Sequence, residues 1–260
     1  MPLMAADPIA LQTVLPARAE SARVSDWSVA GAQADAPALS AVATLAQALG
    51  TARRREAVYA VAKRALDLVV AAVMLLALLP VFALVAAAIR LDGPGPILYR
   101  GERVGRYGSR FTIVKFRSMR ADADPTVHRA FVRSLMQQGT TCAVYKVPDD
   151  PRITRIGAFL RRTSLDELPQ LWNVLRGEMS LVGPRPDVPY AVAEYSDWIH
   201  RRLLMKPGIT GLWQVSGRSR LSLFEMYRLD LAYVGAASLL FDLRILVRTI
   251  PVVLTRDGAA

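Results

Sequence analysis

The hydrophobic pattern of the chain is dominated by one apolar run, LVVAAVMLLALLPVFALVAAAI at residues 68–89, which contains no charged or hydrogen-bonding side chain. A run of ~18 or more apolar residues is typical of membrane-embedded helices, because about 20 helical residues cross the hydrocarbon layer. Pro80 interrupts the run near its middle: it has no N–H to donate, and its ring clashes with the carbonyl of Leu76. The pattern therefore predicts a membrane helix with a break at Pro80.

Basic residues flank the run on both sides: Lys63 and Arg64 precede it, and Arg90 and Arg100 follow it. Positive charge marks the cytoplasmic side, so a spanning helix should be basic at one end only. If Pro80 breaks the helix, the arms 68–79 and 81–89 are roughly 18 Å and 14 Å long, short of the ~30 Å hydrocarbon core. This favours a re-entrant segment that enters and leaves on the cytoplasmic face. A kinked spanning helix is the alternative, since membrane helices tolerate proline.

Residues 1–52 show no sustained hydrophobic period and are rich in Ala, Ser, Asp and Val. We interpret them as a disordered N-terminal extension that contains at most a short helix at 35–50. They also lack the basic region followed by an apolar region of a signal peptide. The expected organisation is this extension, a basic-flanked membrane segment at 53–92 and a cytosolic domain at 93–255.

After the run, the pattern changes to short strands and amphipathic helices. GPGP at 93–96 ends the helix, and ILYRGERV (97–104) and RFTIVKFRSM (110–119) predict a β-hairpin with its turn at 105–108. Helices are predicted within 120–140, after 152 and from about 167 to 175. The last of these is predicted to end near Gly177. In 239–254, Asp242, Arg244 and Arg248 form one polar side, which suits either a helix on a membrane surface or a core helix. The predicted fold class is α+β, mostly helical, with surface amphipathic helices.

The amino-acid composition limits the classes of partner and site that the chain can have. The net charge of +11 over 260 residues favours an anionic partner, and the membrane segment makes an anionic lipid bilayer or a phosphorylated substrate a better match than nucleic acid. Cys142 is the single cysteine, so an intramolecular disulfide is excluded. His128 and His200 match no zinc spacing.

Asp166 and Glu167 form the sharpest candidate for chemistry, and two interpretations stay open. Adjacent residues of a helix do not face each other, so one carboxylate could act as nucleophile while the other serves metal binding or proton transfer. Alternatively, Ser164 and Glu167 match the capping-box pattern S-x-x-E, in which the acids only stabilise a helix N-terminus. Pro169 argues partly against the cap, because a helix capped by Ser164 would need the missing N–H of this proline.

Basic residues that could bind phosphate surround the carboxylate pair in sequence. The candidates are Lys115, Arg152, Arg185 and Arg218. A guanidinium binds phosphate oxygens with two prongs, and Pro184 and Pro186 reduce the entropy lost when Arg185 is positioned. Glycines in KPGITGLWQVSGR (206–218) predict a loop whose backbone amides approach a ligand.

Together these residues resemble the bacterial sugar transferases, which are monotopic phosphoglycosyl transferases. The matching motifs are KRxxD (63–67), the apolar run, PGP (94–96), KFRSM (115–119), DPRxT (150–154), SLDELPQL (164–171), SLVGPRP (180–186), KPGITG (206–211) and DxxYV (230–234). The resemblance covers about residues 63–255. It departs from the family at the helix break, which is usually Ser-Pro and is Leu79-Pro80 here.

The resemblance implies a ping-pong reaction at the cytoplasmic face of the bacterial inner membrane. Asp166 would attack the β-phosphorus of a UDP-sugar and release UMP, and polyprenyl phosphate would then accept the sugar phosphate. Glu167 would assist by positioning or by deprotonation, and both carboxylates would hold Mg²⁺. Arg185 would hold the nucleotide. The break at Pro80 would keep the segment re-entrant and hold Asp166 at the level of the lipid head groups.

Two other functions remain as alternatives: a polyprenyl-phosphate-linked hydrolase with the same nucleophile, and a basic membrane-tethered binding protein without catalysis. The transferred sugar and its pathway, whether exopolysaccharide, capsule or O-antigen, are not defined by these motifs. A homo-oligomer is compatible with them.

Overall fold

The computed structural model describes residues 36–120, 126–138 and 150–255. The chain divides into two units, Met1–Ala52 and Arg53–Ala260, and the second is described below. Of the predicted N-terminal extension, residues 1–35 lie outside the described residues, whereas the backbone from Ala36 onward is helical and belongs to α1 (Ala36–Ala77).

The apolar run forms two helices, the end of α1 and α2 (Leu79–Asp92), which are bent by 60° at the break. The break falls at Leu78, slightly before the predicted position. Pro80 lies in the first turn of α2, where a missing N–H is tolerated. Among the described residues, no helix by itself has the length and apolar character needed to cross a membrane, whereas the bent pair has both when taken together.

One face of the bent pair is apolar and uncovered. Val69, Leu76, Leu84 and Leu91 are 63%, 70%, 72% and 89% exposed. The opposite face packs against the rest of this unit through the buried side chains Ala71, Val85 and Ile89. Exposed large apolar side chains in this number are typical of interaction surfaces.

The first end of the bent pair is bonded to the domain by polar side chains. Lys63 Nζ donates to the Asp242 carboxylate at 2.9 Å, and both side chains are buried. The buried Asp67 carboxylate accepts hydrogen bonds from Ser180 Oγ and from the Leu181 N–H, each at 3.0 Å. This end of the bent pair is therefore fixed to the rest of the unit.

The second end is bonded to the same domain by Arg117. Its guanidinium donates to the carbonyls of Gly93 at 2.7 Å and Ile89 at 3.2 Å, and also to the carbonyl of Pro94. These carbonyls lie where α2 ends and have no partner within the helix. Arg117 thus caps α2 and ties the turn after it to the segment that directly follows Phe116.

The predicted hairpin is confirmed. Strands β1 (Leu98–Val104) and β2 (Arg110–Phe116) pair antiparallel, with Leu98 opposite Phe116, and a 3₁₀ turn at Arg106–Gly108 joins them. Helix α3 spans Thr126–Gln138, and α4 spans Arg155–Thr163. The helix predicted from about 167 begins instead as a 3₁₀ helix, Leu165–Gln170, which contains Pro169, and continues as α5 (Leu171–Arg176) to a left-handed Gly177.

The remaining elements complete a mostly helical fold. They are β3 (Ser180–Val182), α6 (Pro189–Val192), α7 (Asp197–His200), a 3₁₀ turn at Arg201–Leu204, β4 (Gly208–Thr210), α8 (Leu212–Ser216), a 3₁₀ turn at Arg218–Arg220, α9 (Leu223–Ala236) and α10 (Leu239–Thr255). Strands β3 and β4 pair in parallel. The α+β class with a short hairpin is confirmed.

Helix α10 corrects one part of the sequence interpretation. Asp242 does not share an outer polar side with Arg244 and Arg248: it is fully buried and binds Lys63. Burial is possible because the lysine and the Tyr233 hydroxyl, at 2.7 Å, satisfy its charge. The outer face of α10 is a stripe of exposed apolar residues, namely Leu240, Leu243, Val247, Ile250 and Leu254, with the exposed arginines beside it.

Candidate active site

The two candidate carboxylates lie in the 3₁₀ helix Leu165–Gln170, between α4 and α5. Ser164 precedes them in the left-handed conformation, with φ of 57°, and its N–H closes the last turn of α4. The Ser164 side chain makes no capping bond to this helix. The interpretation of Asp166 and Glu167 as a capping box is therefore wrong, whereas Ser222 and Glu225 do form one at the start of α9.

Asp166 is buried, with 9% of its surface exposed. Among the described residues its side chain has no hydrogen-bond or ion-pair partner. Burial, and then the negative charge of Glu167, raises the pKa of Asp166 to about 6. The side chain is thus a poorly solvated carboxylate at neutral pH, with lone pairs that no other side chain of the described part occupies.

Glu167 has the opposite environment, because two cations bind it. Arg185 forms a bidentate ion pair with Glu167, in which Nη2 donates to Oε1 at 2.5 Å and Nη1 donates to Oε2 at 3.2 Å. Lys115 Nζ donates to Oε1 at 3.3 Å. Burial opposes the charge of Glu167, but Arg185 and Lys115 outweigh it and hold the pKa of this carboxyl well below its usual range. Adjacent carboxylates with separated pKa values are a pattern of catalytic sites.

Lys115 comes from β2, which is bonded to the helix that follows the carboxylates. Asn173 of α5 accepts a hydrogen bond from the Val114 N–H at 3.0 Å and donates to the Thr112 carbonyl at 2.7 Å. These bonds fix α5, and with it the preceding 3₁₀ helix, to the strand that carries the lysine. Burial lowers the pKa of Lys115, and the charge of Glu167 opposes this effect.

Arg185 comes from the loop after β3, which the backbone of β4 supports. A Cβ atom on Gly208 would lie 2.1 Å from the Gly183 nitrogen, and one on Gly211 would lie 2.6 Å from the Gly183 oxygen. The Gly208 N–H donates to the Pro184 carbonyl at 2.9 Å, so the prediction that it approaches a ligand is wrong, whereas for Gly211 it stays a prediction. Both glycines allow two segments of the chain to touch, which positions Arg185.

Arg202 holds the backbone of the same loop. It is 4% exposed, and its Nη2 donates to the Arg185 carbonyl at 2.9 Å. Its other donors bind Asp187 at 3.1 Å and Asp230 at 2.6 Å. Burial opposes the charge of Asp187, but Arg202 and two tyrosine hydroxyls hold its pKa below the ordinary value.

The structure gives the other predicted residues different surroundings. Arg152 forms a two-pronged ion pair with Asp150, at 2.7 Å and 2.8 Å. Arg218 Nη2 donates to Ser164 Oγ at 2.9 Å. Pro184 and Pro186 line a small cavity next to Arg185.

Arg161 was not singled out from the sequence. Its charge lowers the pKa of Asp166, after that of Lys115, and its Nε donates to Ser118 Oγ at 2.9 Å. Four arginines lie in and just before α4, and no sequence pattern distinguishes Arg161 from the other three.

The site suits a metal ion that arrives with a phosphorylated substrate. Within the described ranges, no group of three or more His, Cys, Asp or Glu side chains could hold a metal ion. Asp166 offers one carboxylate, while both Glu167 oxygens bind cations. Mg²⁺ is commonly held by one or two carboxylates, substrate phosphates and waters, and the Asp166 carboxylate could serve as one such ligand.

Comparison with known proteins identifies the family. The family of bacterial sugar transferases matches residues 58–256. The chain belongs to the bacterial sugar transferase family. The resemblance drawn from the motifs is thereby confirmed, and the match contains both carboxylates and all the predicted binding residues.

Named relatives of this sugar transferase include the UDP-galactose-lipid carrier transferase of Erwinia amylovora, 46% identical over 197 residues, which cover 76% of this chain and 41% of the relative. The UDP-glucose:undecaprenyl-phosphate glucose-1-phosphate transferase of Caulobacter vibrioides is 43% identical over 206 residues, 76% of this chain and 71% of the relative. The exopolysaccharide production protein ExoY of Sinorhizobium fredii is 40% identical over 199 residues, 76% and 88% of the two chains. The match thus spans less than half of the Erwinia protein.

Proposed function

We propose that this sugar transferase moves a sugar 1-phosphate from a UDP-sugar to polyprenyl phosphate through a covalent intermediate on Asp166. The observation that carries the proposal is the environment of Asp166: a buried carboxylate without a side-chain partner in the described part of the chain, beside a cluster of cations. The names of the Erwinia and Caulobacter relatives contain a UDP-sugar together with a lipid carrier or undecaprenyl phosphate, which supports these substrate classes.

In the first step, an Asp166 oxygen attacks the β-phosphorus of the UDP-sugar. A new P–O bond forms to the carboxylate, and the bond to the bridging oxygen breaks, so that UMP leaves with the electron pair. Lys115, Arg161 and Arg185 supply positive charge to phosphoryl oxygens, and preorganised charge of this kind is a major source of catalysis. Mg²⁺ held by Asp166 would neutralise diphosphate charge.

In the second step, a phosphate oxygen of the polyprenyl phosphate attacks the phosphorus held on Asp166. The P–O bond to Asp166 breaks, which restores the carboxylate and yields polyprenyl diphosphate sugar. Dividing the transfer allows a soluble donor and a membrane-bound acceptor to use one site in turn. Glu167 stays ionised and orients Arg185 and Lys115 in both steps.

The bonded ends of the bent helix pair support a re-entrant topology at the inner membrane. Asp67 and Arg117 fix the two ends to one domain, which supports a topology with both ends on the same side of the bilayer. Each arm between these points spans roughly 15 Å, about half the ~30 Å hydrocarbon core. The apolar stripe of α10 and its flanking arginines suit contact with anionic lipid head groups.

The assay for the activity is UMP release from UDP-galactose and UDP-glucose in membranes with added polyprenyl phosphate and Mg²⁺. Asp166→Asn should abolish turnover, because an amide is not a nucleophile here, while circular dichroism stays unchanged. Mass spectrometry without acceptor should find a sugar phosphate on the Asp166 peptide. Full activity of the Asn variant would refute the nucleophile assignment, and sugar phosphate released to water in place of lipid product would favour the hydrolase alternative.

Topology is tested by cysteine accessibility after Cys142→Ser removes the native thiol. Single cysteines at Ala60 and Gly95 should both react with a membrane-impermeant reagent only from the cytoplasmic side. Reaction of the two positions from opposite sides would establish a spanning helix and refute re-entrance.

A further inference from the structure

The residue before the carboxylate-bearing 3₁₀ helix adopts an unfavourable conformation. Among the described residues, positive φ values outside glycine occur at Tyr107 (57°), Ser164 (57°) and Arg218 (50°). Side chains with a Cβ rarely adopt this conformation, and such residues concentrate where surrounding contacts hold them. Two of these three, Ser164 and Arg218, are hydrogen-bonded to each other: Arg218 Nη2 donates to Ser164 Oγ at 2.9 Å.

Ser164 determines the direction of the chain between Arg161 and Asp166. Its N–H donates to the Arg161 carbonyl at 3.2 Å, and its own carbonyl accepts from the Glu167 N–H at 3.2 Å. The last turn of α4 therefore ends, and the 3₁₀ helix begins, at this single residue. A rotation of the Ser164 backbone would move Asp166 relative to Arg161.

Arg218 is itself anchored at a second place. Its Nη1 donates to the Val252 carbonyl at 3.4 Å, in the last turn of α10. The last four carbonyls of a helix lack intrahelical partners and attract positive charge. Arg218 thus joins Ser164 to the end of the helix that carries the exposed apolar stripe.

We propose that Arg218 and Ser164 are positioning residues, whose hydrogen bond holds the left-handed turn that aims Asp166 at the phosphorus. This inference rests on the proposed function and assigns Arg218 a role different from direct phosphate binding. A glycine at position 164 would adopt the same φ without strain, but it would also be free to leave it. The serine hydroxyl adds the constraint that glycine lacks.

The test measures the rate of UMP formation and the concentration of UDP-sugar that gives half that rate, in single turnovers without acceptor. Ser164→Gly should slow the maximal rate about tenfold to a hundredfold, the range expected for a displacement near 1 Å. The half-saturating concentration should change little, because the cations that bind phosphate remain. The thermal midpoint should stay at or above that of the wild type, since the strain is relieved.

Two further variants test the hydrogen bond between Ser164 and Arg218. Arg218→Gly should reproduce the loss of rate, and the double variant should be no slower than Arg218→Gly alone, because both substitutions remove the hydrogen bond between Ser164 and Arg218. Ser164→Asn should retain most of the rate, since asparagine tolerates the left-handed region and its side-chain oxygen can accept from Arg218. If Ser164→Gly folds poorly, Arg218→Gly and Ser164→Asn carry the test.

Tyr107→Gly is the matched control for relief of strain. Tyr107 has the same φ as Ser164, is 71% exposed and lies at the hairpin turn, at the far end of β2 from Lys115. The Tyr107→Gly variant should therefore form UMP at the wild-type rate. A wild-type rate in Ser164→Gly would overturn the inference, as would an Arg218→Gly variant that weakens UDP-sugar binding while Ser164→Gly does not. Absence of UMP formation by the wild type would instead refute the proposed function.

Discussion

Replacing Asp166 by Asn should make the protein more stable above pH 6, in addition to making it inactive. The pKa of this buried carboxyl is raised from 3.8 to about 6. At about 1.4 kcal/mol per pH unit, this difference disfavours the ionised form in the folded state by ~3 kcal/mol. Asparagine has a similar shape and no charge, and the desolvation of its amide offsets part of the gain, which leaves ~1–3 kcal/mol.

The pH dependence follows from the direction of the pKa change. The folded state binds the Asp166 proton more tightly than the unfolded state, so this residue favours folding below pH 3.8 and loses that contribution as the pH rises to about 6. Asn does not titrate. The difference in stability between variant and wild type should therefore increase between pH 4 and pH 6 and stay constant at higher pH.

The assay is thermal unfolding in nanodiscs with EDTA, at several pH values from 4.5 to 8. For a unit of this size, ~3 kcal/mol corresponds to a rise in midpoint of ~6–12 °C as an upper value. Asp187→Asn is the control of opposite sign, because Asp187 is a buried carboxylate whose pKa is lowered, and its neutralisation should destabilise the protein at pH 8. A less stable Asp166→Asn at pH 8, or a difference that does not change with pH, would refute the reasoning.

Two further predictions concern the framework of the site. Gly208→Ala places a Cβ 2.1 Å from a backbone nitrogen and should lower both the thermal midpoint and the rate of UMP formation; the control Gly235→Ala, in a helix with no atom within 4 Å, should be neutral or slightly stabilising, so equal effects would contradict the packing role of Gly208. Lys63→Met leaves Asp242 buried without its cation and should destabilise by ~3–5 kcal/mol in chemical unfolding. Arg110→Met, at an exposed ion pair, should change stability by less than ~1 kcal/mol, and similar values for the two variants would contradict the anchoring role of Lys63.

Local patterns in the sequence predicted the local elements well. Alternation and two glycines defined the hairpin, Gly177 ended α5, and Pro80 placed the break within two residues of its position. Each of these features depends on neighbours in sequence. The sequence alone could not exclude the capping box at Ser164 and Glu167, because the answer depends on the left-handed backbone of Ser164 and on its contact with Arg218, 54 residues away.

The errors also have a common physical origin. Asp242 resembled a surface residue because its partner, Lys63, is 179 residues distant, and Gly208 resembled part of a ligand loop because the strand that fills its space is not its neighbour in sequence. Charge pairing and close backbone packing between distant segments leave no periodic pattern. The motif KPGITG contains Gly208 but does not show which residues Gly208 contacts.

The order of synthesis gives the bonded ends of the bent helix pair a consequence for biogenesis. The apolar arms emerge from the ribosome before Ser180, Leu181 and Asp242, which hold their first end. At about 5–20 residues per second, the interval between Lys63 and Asp242 lasts roughly 10–35 s. During that time the bent helix pair is apolar and lacks these partners, so its insertion into lipid should precede closure of the domain. The nascent chain would then complete its catalytic site only after its anchor has reached the bilayer.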